Sequence, residues 1–136
     1  MSTQIFVNLP VRDLAASQRF FIALGYHFNP QFTDDTAACL VISEHIYAML
    51  LTHEKFAGFT PRPICDAKKS TEVLLALSCD SREEVDERVR KAVAAGGSIY
   101  NEPQDHGFMY GHGYADPDGH IWEVFWMDPA AAPASN

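Results

Sequence analysis

The segment "HIWEVFWM", residues 120–127, sets one carboxylate, Glu123, among Ile121, Trp122, Val124, Phe125 and Trp126. A charge in so apolar a run must be solvated, paired, protonated or bound to something, because burying it bare costs too much. The β-like segments carry few cations that could pair with it. An acid in an apolar cavity is the usual raw material of a raised-pKa base, so Glu123 is the candidate catalytic residue. The structural alternative is a carboxylate buried against a backbone donor or an arginine.

Six histidines are present: His27, His45, His53, His106, His112 and His120. The last three fall in "HGFMYGHGYADPDGH", yet their spacing matches no zinc-finger or H-E-x-x-H template. Ordinary surface histidines on a glycine-rich strand edge account for them, with His112 the one to watch. It alternates in phase with Tyr110 and Tyr114 just before the turn "DPDG", and could point into a pocket. The glycines around Phe108, Met109 and Tyr110 permit a bulge or sharp turn, or equally a mobile aromatic flap. Cys39, Cys65 and Cys79 are odd in number and form no C-x-x-C pair, which predicts reduced, buried thiols in a cytosolic protein. No Ser-His-Asp order, phosphate-cradling glycine loop or basic-aromatic stretch supports a hydrolase, nucleotide-binding or single-strand-binding reading.

These residues need a scaffold, and the bulk numbers allow one domain. The chain has 136 residues and 47% hydrophobic content, enough to bury a core without disulfides. Its 18 acidic and 10 basic residues give a formal charge of -8, a surface that repels phosphate backbones. Nucleic acid is therefore not an expected partner. No targeting segment or membrane-length apolar run appears, so the expectation is a soluble, cytoplasmic chain without membrane contact.

Strand "QIFVNLPV" is followed by a helix over residues 13–24. Asp13 caps it, Leu14, Ser17, Phe20, Phe21 and Leu24 form its stripe, and Gly25 ends it. Three β segments follow: "YHFNPQF", "AACLVIS" and "IYAMLLT". The pattern then repeats. After "TEVLLALSC" comes a helix over residues 81–95, with a Ser81–Glu84 capping box and a buried stripe of Val85, Val89, Ala92 and Val93. The β-like "SIYNE", "HGFMYGHGYA" and "HIWEVFWM" complete the second unit. The expected organisation is a single α+β domain: module one at about 4–54, a connector at about 55–71, module two at about 72–128, and a frayed tail at 129–136.

The stretches "LPVRDLAASQRFFIALGY" and "YADPDGHIWEVFWMD" carry a resemblance to the vicinal oxygen chelate superfamily, which covers glyoxalase I, bleomycin-resistance proteins and extradiol dioxygenases. The first resembles the family's strand–helix opening, and the second its closing hairpin with one glutamate on the last strand. The resemblance spans Gln4 to Asp128 and implies two βαβββ modules forming a curved mixed sheet around a ligand-holding cup. It also implies a homodimer. In metal-dependent members four positions ring the metal, one on the first and one on the last strand of each module. Carried onto this chain they fall on Phe6, Met49, Leu74 and Glu123, with an uncertainty of one pleat at Met49 and Leu74. Only Glu123 matches a ligand type, so no bound metal or other cofactor is expected. A slip of one pleat would bring in Gln4 or Asn8 and Glu72, a weaker oxygen-rich set suited at most to a hard divalent cation.

The resulting expectation is a metal-free protein binding a small organic molecule. Its cup would be lined by Phe6, Asn8, Met49, Leu74, Phe108, Tyr110, His112 and Phe125 around Glu123. One alternative is a glyoxalase-like lyase or epimerase in which Glu123 abstracts a proton next to a carbonyl, with or without a metal. The other is a non-catalytic interaction module whose cup is filled by side chains.

Overall fold

Asp13 accepts a hydrogen bond from the amide of Ala16 at 3.0 Å and so starts α1 (Leu14–Ala23) where the sequence places it. The computed structural model describes residues 2–130. Most of the expected tail, residues 131–136, lies outside the described residues. The chain divides into two compact units with the boundary between Asp66 and Ala67.

In the first unit, β1 (Ile5–Val11), β2 (His27–Asn29), β3 (Ala37–Val41) and β4 (Ile46–Thr52) form one mixed sheet in the order β1-β4-β3-β2. β1 runs parallel to β4, and the other pairs are antiparallel. α1 packs on β3 and β4, and its whole expected stripe is buried. β2 is shorter than "YHFNPQF" suggested because Pro30 opens a 3-10 turn, capped by the Asn29 side chain on the amide of Gln31. The Asp34 carboxylate accepts from the Thr36 amide, the Thr36 hydroxyl and the Ala37 amide, which holds it below its ordinary range. A short helix, α2 (His53–Ala57), overlaps the start of the segment read as an irregular connector.

The second unit contains β5 (Leu74–Ser78), α3 (Arg82–Ala94), β6 (Ser98–Ile99), β7 (Gln104–Asp105), β8 (Met109–Ala115) and β9 (Ile121–Met127). Its sheet has the order β5-β9-β8-β6, with β5 parallel to β9. Ser81 caps α3 by accepting from the Glu84 amide at 3.1 Å, and the Glu84 carboxylate reaches back to the Asp80 amide at 2.7 Å. Val85, Val89 and Ala92 are buried, whereas Val93 is 42% exposed, contrary to expectation. Seven residues bring a helix back to nearly the same face, and an eighth rotates about 100° further. Ala92 therefore keeps its expected inward place, and Val93, one residue on, turns outward.

Only Ser98–Ile99 of the strand expected at "SIYNE" forms, as β6; β7 follows it as a separate fragment, and both pair with β8. Pro103 lies between them and cannot donate to a ladder, so the edge strand breaks there. The cysteine expectation holds for Cys39, which is buried, but Cys65 is exposed. Burial, with Glu84 beside it, pushes the half-buried Cys79 thiol up to about 11, away from thiolate chemistry.

Candidate functional site

The β8–β9 hairpin decides which side chains share a face. The Asp116 amide donates to the His120 carbonyl and the Gly119 amide to the Asp116 carbonyl, while Gly119 sits at φ +92°. The loop proper is therefore residues 117–119, a tight turn closed by a left-handed glycine. Its odd length pairs Ala115 with Ile121, Gly113 with Glu123 and Gly111 with Phe125. A four-residue reading of D-P-D-G would have shifted the register by one and set His112 opposite Glu123.

This corrects the expectation for Tyr110, though not for His112, which lines the cavity over Glu123 described below. The two pair with Trp126 and Val124, on the face that α3 covers. The Nδ1 of His112 is buried with no hydrogen-bond partner. The Tyr110 hydroxyl instead donates to Asp86 of α3 at 2.6 Å.

Glu123 lies on the opposite face, with Gly113 beside it on β8 and Ala76 beside it on β5. Both neighbours are small, but of the two only Ala76 lines the open space, together with Gly111, while Gly113 is buried. A Cβ on Gly113 would stand 3.7 Å from Cγ of Glu123 and 3.3 Å from the Trp122 carbonyl oxygen. The open space is a cavity of about 430 Å3 with an apolar floor of Met109, Phe125 and Met127. Asn101, Gln104, His106 and His112 supply its other polar side chains. Glu123 makes no hydrogen bond or ion pair among the described residues.

The rim of this cavity is tethered through residues that sequence reasoning did not single out. Arg82 grips Asp105 with both guanidinium nitrogens, at 2.9 and 3.1 Å, and donates to the Gly107 carbonyl at 2.9 Å. Its guanidinium also lies 5.2 Å from the ring centres of Tyr110 and Trp126. The hydrogen bonds from Arg82 and the Gly107 amide hold the Asp105 carboxyl below its ordinary range. Asp105 is thereby fixed to the start of α3, between Gln104 and His106, which line the cavity. The glycine-rich segment is a tied hairpin with a left-handed turn at Gly107, φ +79°.

The Tyr110–Asp86 bond makes a measurable prediction. It pushes the Tyr110 phenol up to about 12, above the ordinary tyrosine value of about 10. A raised folded pKa contributes stability that is complete below the unfolded value and lost as pH climbs through the folded one. Absorbance titration of the phenolate band should show this late step in the parent and not in Tyr110→Phe. Identical curves would mean that the bond to Asp86 is not made.

A second network missed at first lies behind the hairpin. Asp116 accepts from the amides of Asp118 and His120 and from the indole of Trp122, each at 3.0 Å. Burial pushes its carboxyl up, against the pull of His120 and the indole bond. His120, read as a surface histidine, is 2% exposed, and its Nδ1 lies 2.9 Å from Glu72 Oε1. The signal available was Trp122, since a buried indole N–H requires an acceptor.

The remaining expected lining residues are divided between the two units. Phe6, Asn8 and Met49 belong to the first unit, where Phe6 stacks on Tyr47 at 4.7 Å and Asn8 pairs with Met49. Leu74 lies beside Ile121 on the edge strand and Phe108 sits in the loop before β8; both are exposed, and neither lines the cavity. Phe125 does line it.

Comparison with known proteins follows the same outline. Residues 3–43 match the family model described as bleomycin resistance protein-like N-terminal. A hypothetical protein of S. aureus is 30% identical, with 93% of this chain and 95% of that one covered at a TM-score of 0.78. A glyoxalase/bleomycin resistance protein/dioxygenase family enzyme from Burkholderia phytofirmans PsJN is 20% identical, covering 93% and 99% at a TM-score of 0.76. The chain belongs to the vicinal oxygen chelate superfamily. A bleomycin resistance determinant encoded on the transposon Tn5 shares the fold at 18% identity and a TM-score of 0.65, covering 93% and 99%. No curated protein matches.

The superfamily's metal-dependent members set the test for a metal. In the first unit the register sets Phe6 beside Tyr47 and Met49 beside Asn8. In the second, the neighbour of Glu123 on β5 is Ala76, one pleat beyond Leu74 and in the direction away from Glu72. Glu72 precedes β5 and is paired with His120. Gln4 donates to the Tyr47 hydroxyl and the Glu44 carbonyl. Among the described residues no group of three or more His, Cys, Asp or Glu side chains could hold an ion. One carboxylate beside an alanine and a glycine does not fit a transition metal.

Proposed function

We propose that the chain binds a small organic molecule in the cavity over Glu123, without a metal at the superfamily's usual place. One observation carries this: Glu123 has no partner among the described residues and lines an open cavity beside the small residues Ala76 and Gly111, which leave its carboxylate room to meet a ligand. A carboxylate serving the fold would be bonded, as Asp116 is. The volume, about 430 Å3, falls in the range of small-molecule sites and favours this reading over a filled interaction module.

A second reading uses the same carboxylate as a general base for a lyase or epimerase. Asn101, Gln104 and His106 line the same cavity and could donate to a carbonyl oxygen as the neighbouring proton leaves. The proposed assembly is a homodimer, supported by the exposed apolar residues Ile5, Phe6 and Leu74 on the edge strands. No helix among the described residues is long and apolar enough to cross a membrane, and we place the chain in the cytoplasm.

Native mass spectrometry of the purified protein reads metal, retained ligand and subunit number together. Stoichiometric zinc, nickel, manganese or iron would overturn the metal-free reading. In parallel, Glu123→Gln without ligand is expected to melt at the parent temperature or above it, because an unpartnered carboxylate in an apolar site lowers stability. The variant should also lose the retained ligand, or turnover if there is any. A large drop in melting temperature would show that Glu123 anchors the fold.

A further inference from the structure

Building on the cavity reading above, we infer that its occupant is an organic cation: an amine or similar nitrogen base on an apolar body. The charge arithmetic of the lining decides the class. Glu123 is the one acidic residue of the cavity, and no lysine or arginine lines it. Arg82, at the start of α3, is committed to Asp105 and Gly107. An anionic ligand would meet an uncompensated carboxylate, and a neutral one would leave that carboxylate unpaired.

A cation supplies the missing partner. Its N–H groups would bond Glu123 in the space beside Ala76 and Gly111. Its apolar part would lie on Met109, Phe125 and Met127, where a ring face and thioethers are soft, polarisable neighbours for positive charge. Over longer range the formal charge of -8 raises the local concentration of cations and depletes anions.

The test uses two matched sets of probes on the full chain by isothermal titration calorimetry: phenethylamine, phenethyl alcohol and phenylacetate; then hexylamine, hexanol and hexanoate. The amines are expected to bind about tenfold or more tighter than the alcohols, as a charge-assisted hydrogen bond implies. The carboxylates should not bind. Glu123→Gln should bring amine and alcohol to the same affinity. Ala76→Leu, which fills that space but keeps the charge, should weaken both.

The inference is overturned if the alcohols or carboxylates match the amines, if the amine preference survives Glu123→Gln, or if no amine binds. Alcohols that match the amines on the parent and fail with Ala76→Leu would sink the cation while sparing the cavity reading. If none of the probes binds and the purified protein retains no molecule, both fall.

Discussion

Phe20→Ala is expected to lower folding stability by about 3–5 kcal/mol, the range for truncating a fully buried phenylalanine. Phe20 is 2% exposed and meets Phe21 edge-on, with ring centres 5.0 Å apart and planes at 89°. It sits on the helix that packs against β3 and β4, so alanine would leave a void at the helix–sheet contact. Interiors relax only partly around such a void, and the lost contacts are not recovered elsewhere. Urea denaturation of variant and parent reads the change directly, as a lower midpoint at an unchanged slope. A loss below about 1 kcal/mol would place Phe20 at a loosely packed site.

The second large effect is expected at Asp116. Alanine there removes the acceptor of two amides and an indole N–H at one buried position. Each buried donor left without its acceptor costs about 1–3 kcal/mol, partly offset by no longer desolvating a carboxyl group, so a loss of about 3 kcal/mol or more is expected. Asparagine keeps one oxygen for the turn amides but sets its own N–H2 against the indole, so Asp116→Asn should fall between parent and alanine. Thermal melts of the three proteins give the order. Equal melting temperatures would mean that the hairpin does not depend on this side chain, and the register that isolates Glu123 would need another cause.

What could be read from the sequence was local. Asp13 and the Ser81–Glu84 pair are legible because a cap and its helix lie within one turn. The first stripe was complete, and the second failed only at Val93, where a broad apolar face gave no sign of which valine points outward. Glu123 stood out through its neighbours' chemistry. The residues around it did not, since Ala76 and Gly111 matter for what they lack. The faces of Tyr110 and His112 hung on whether one turn held an odd or even number of residues. Glu72 and His120 lie far apart in sequence, and neither segment signals the other. Arg82 carries no signal in its own segment, because its partner Asp105 lies 23 residues further on.

The strand made last in each unit, β4 or β9, is not at the edge but between its neighbours. β1 has no partner in its sheet until β4 arrives, and β5 has none until β9 does. On a growing chain, therefore, the opening strand of each unit must wait with its backbone donors and acceptors unpaired. Exposed Ile5, Phe6 and Leu74 lie on those strands. Such waiting edges attract other chains, and closing them by a long parallel pairing is slow. The first sheet can close once β4 has emerged, but the second stays open through most of its synthesis. A ribosome stalled within β9 would leave β5 as the vulnerable edge, so the codons for the segment that carries Glu123 also set how long that edge stays exposed.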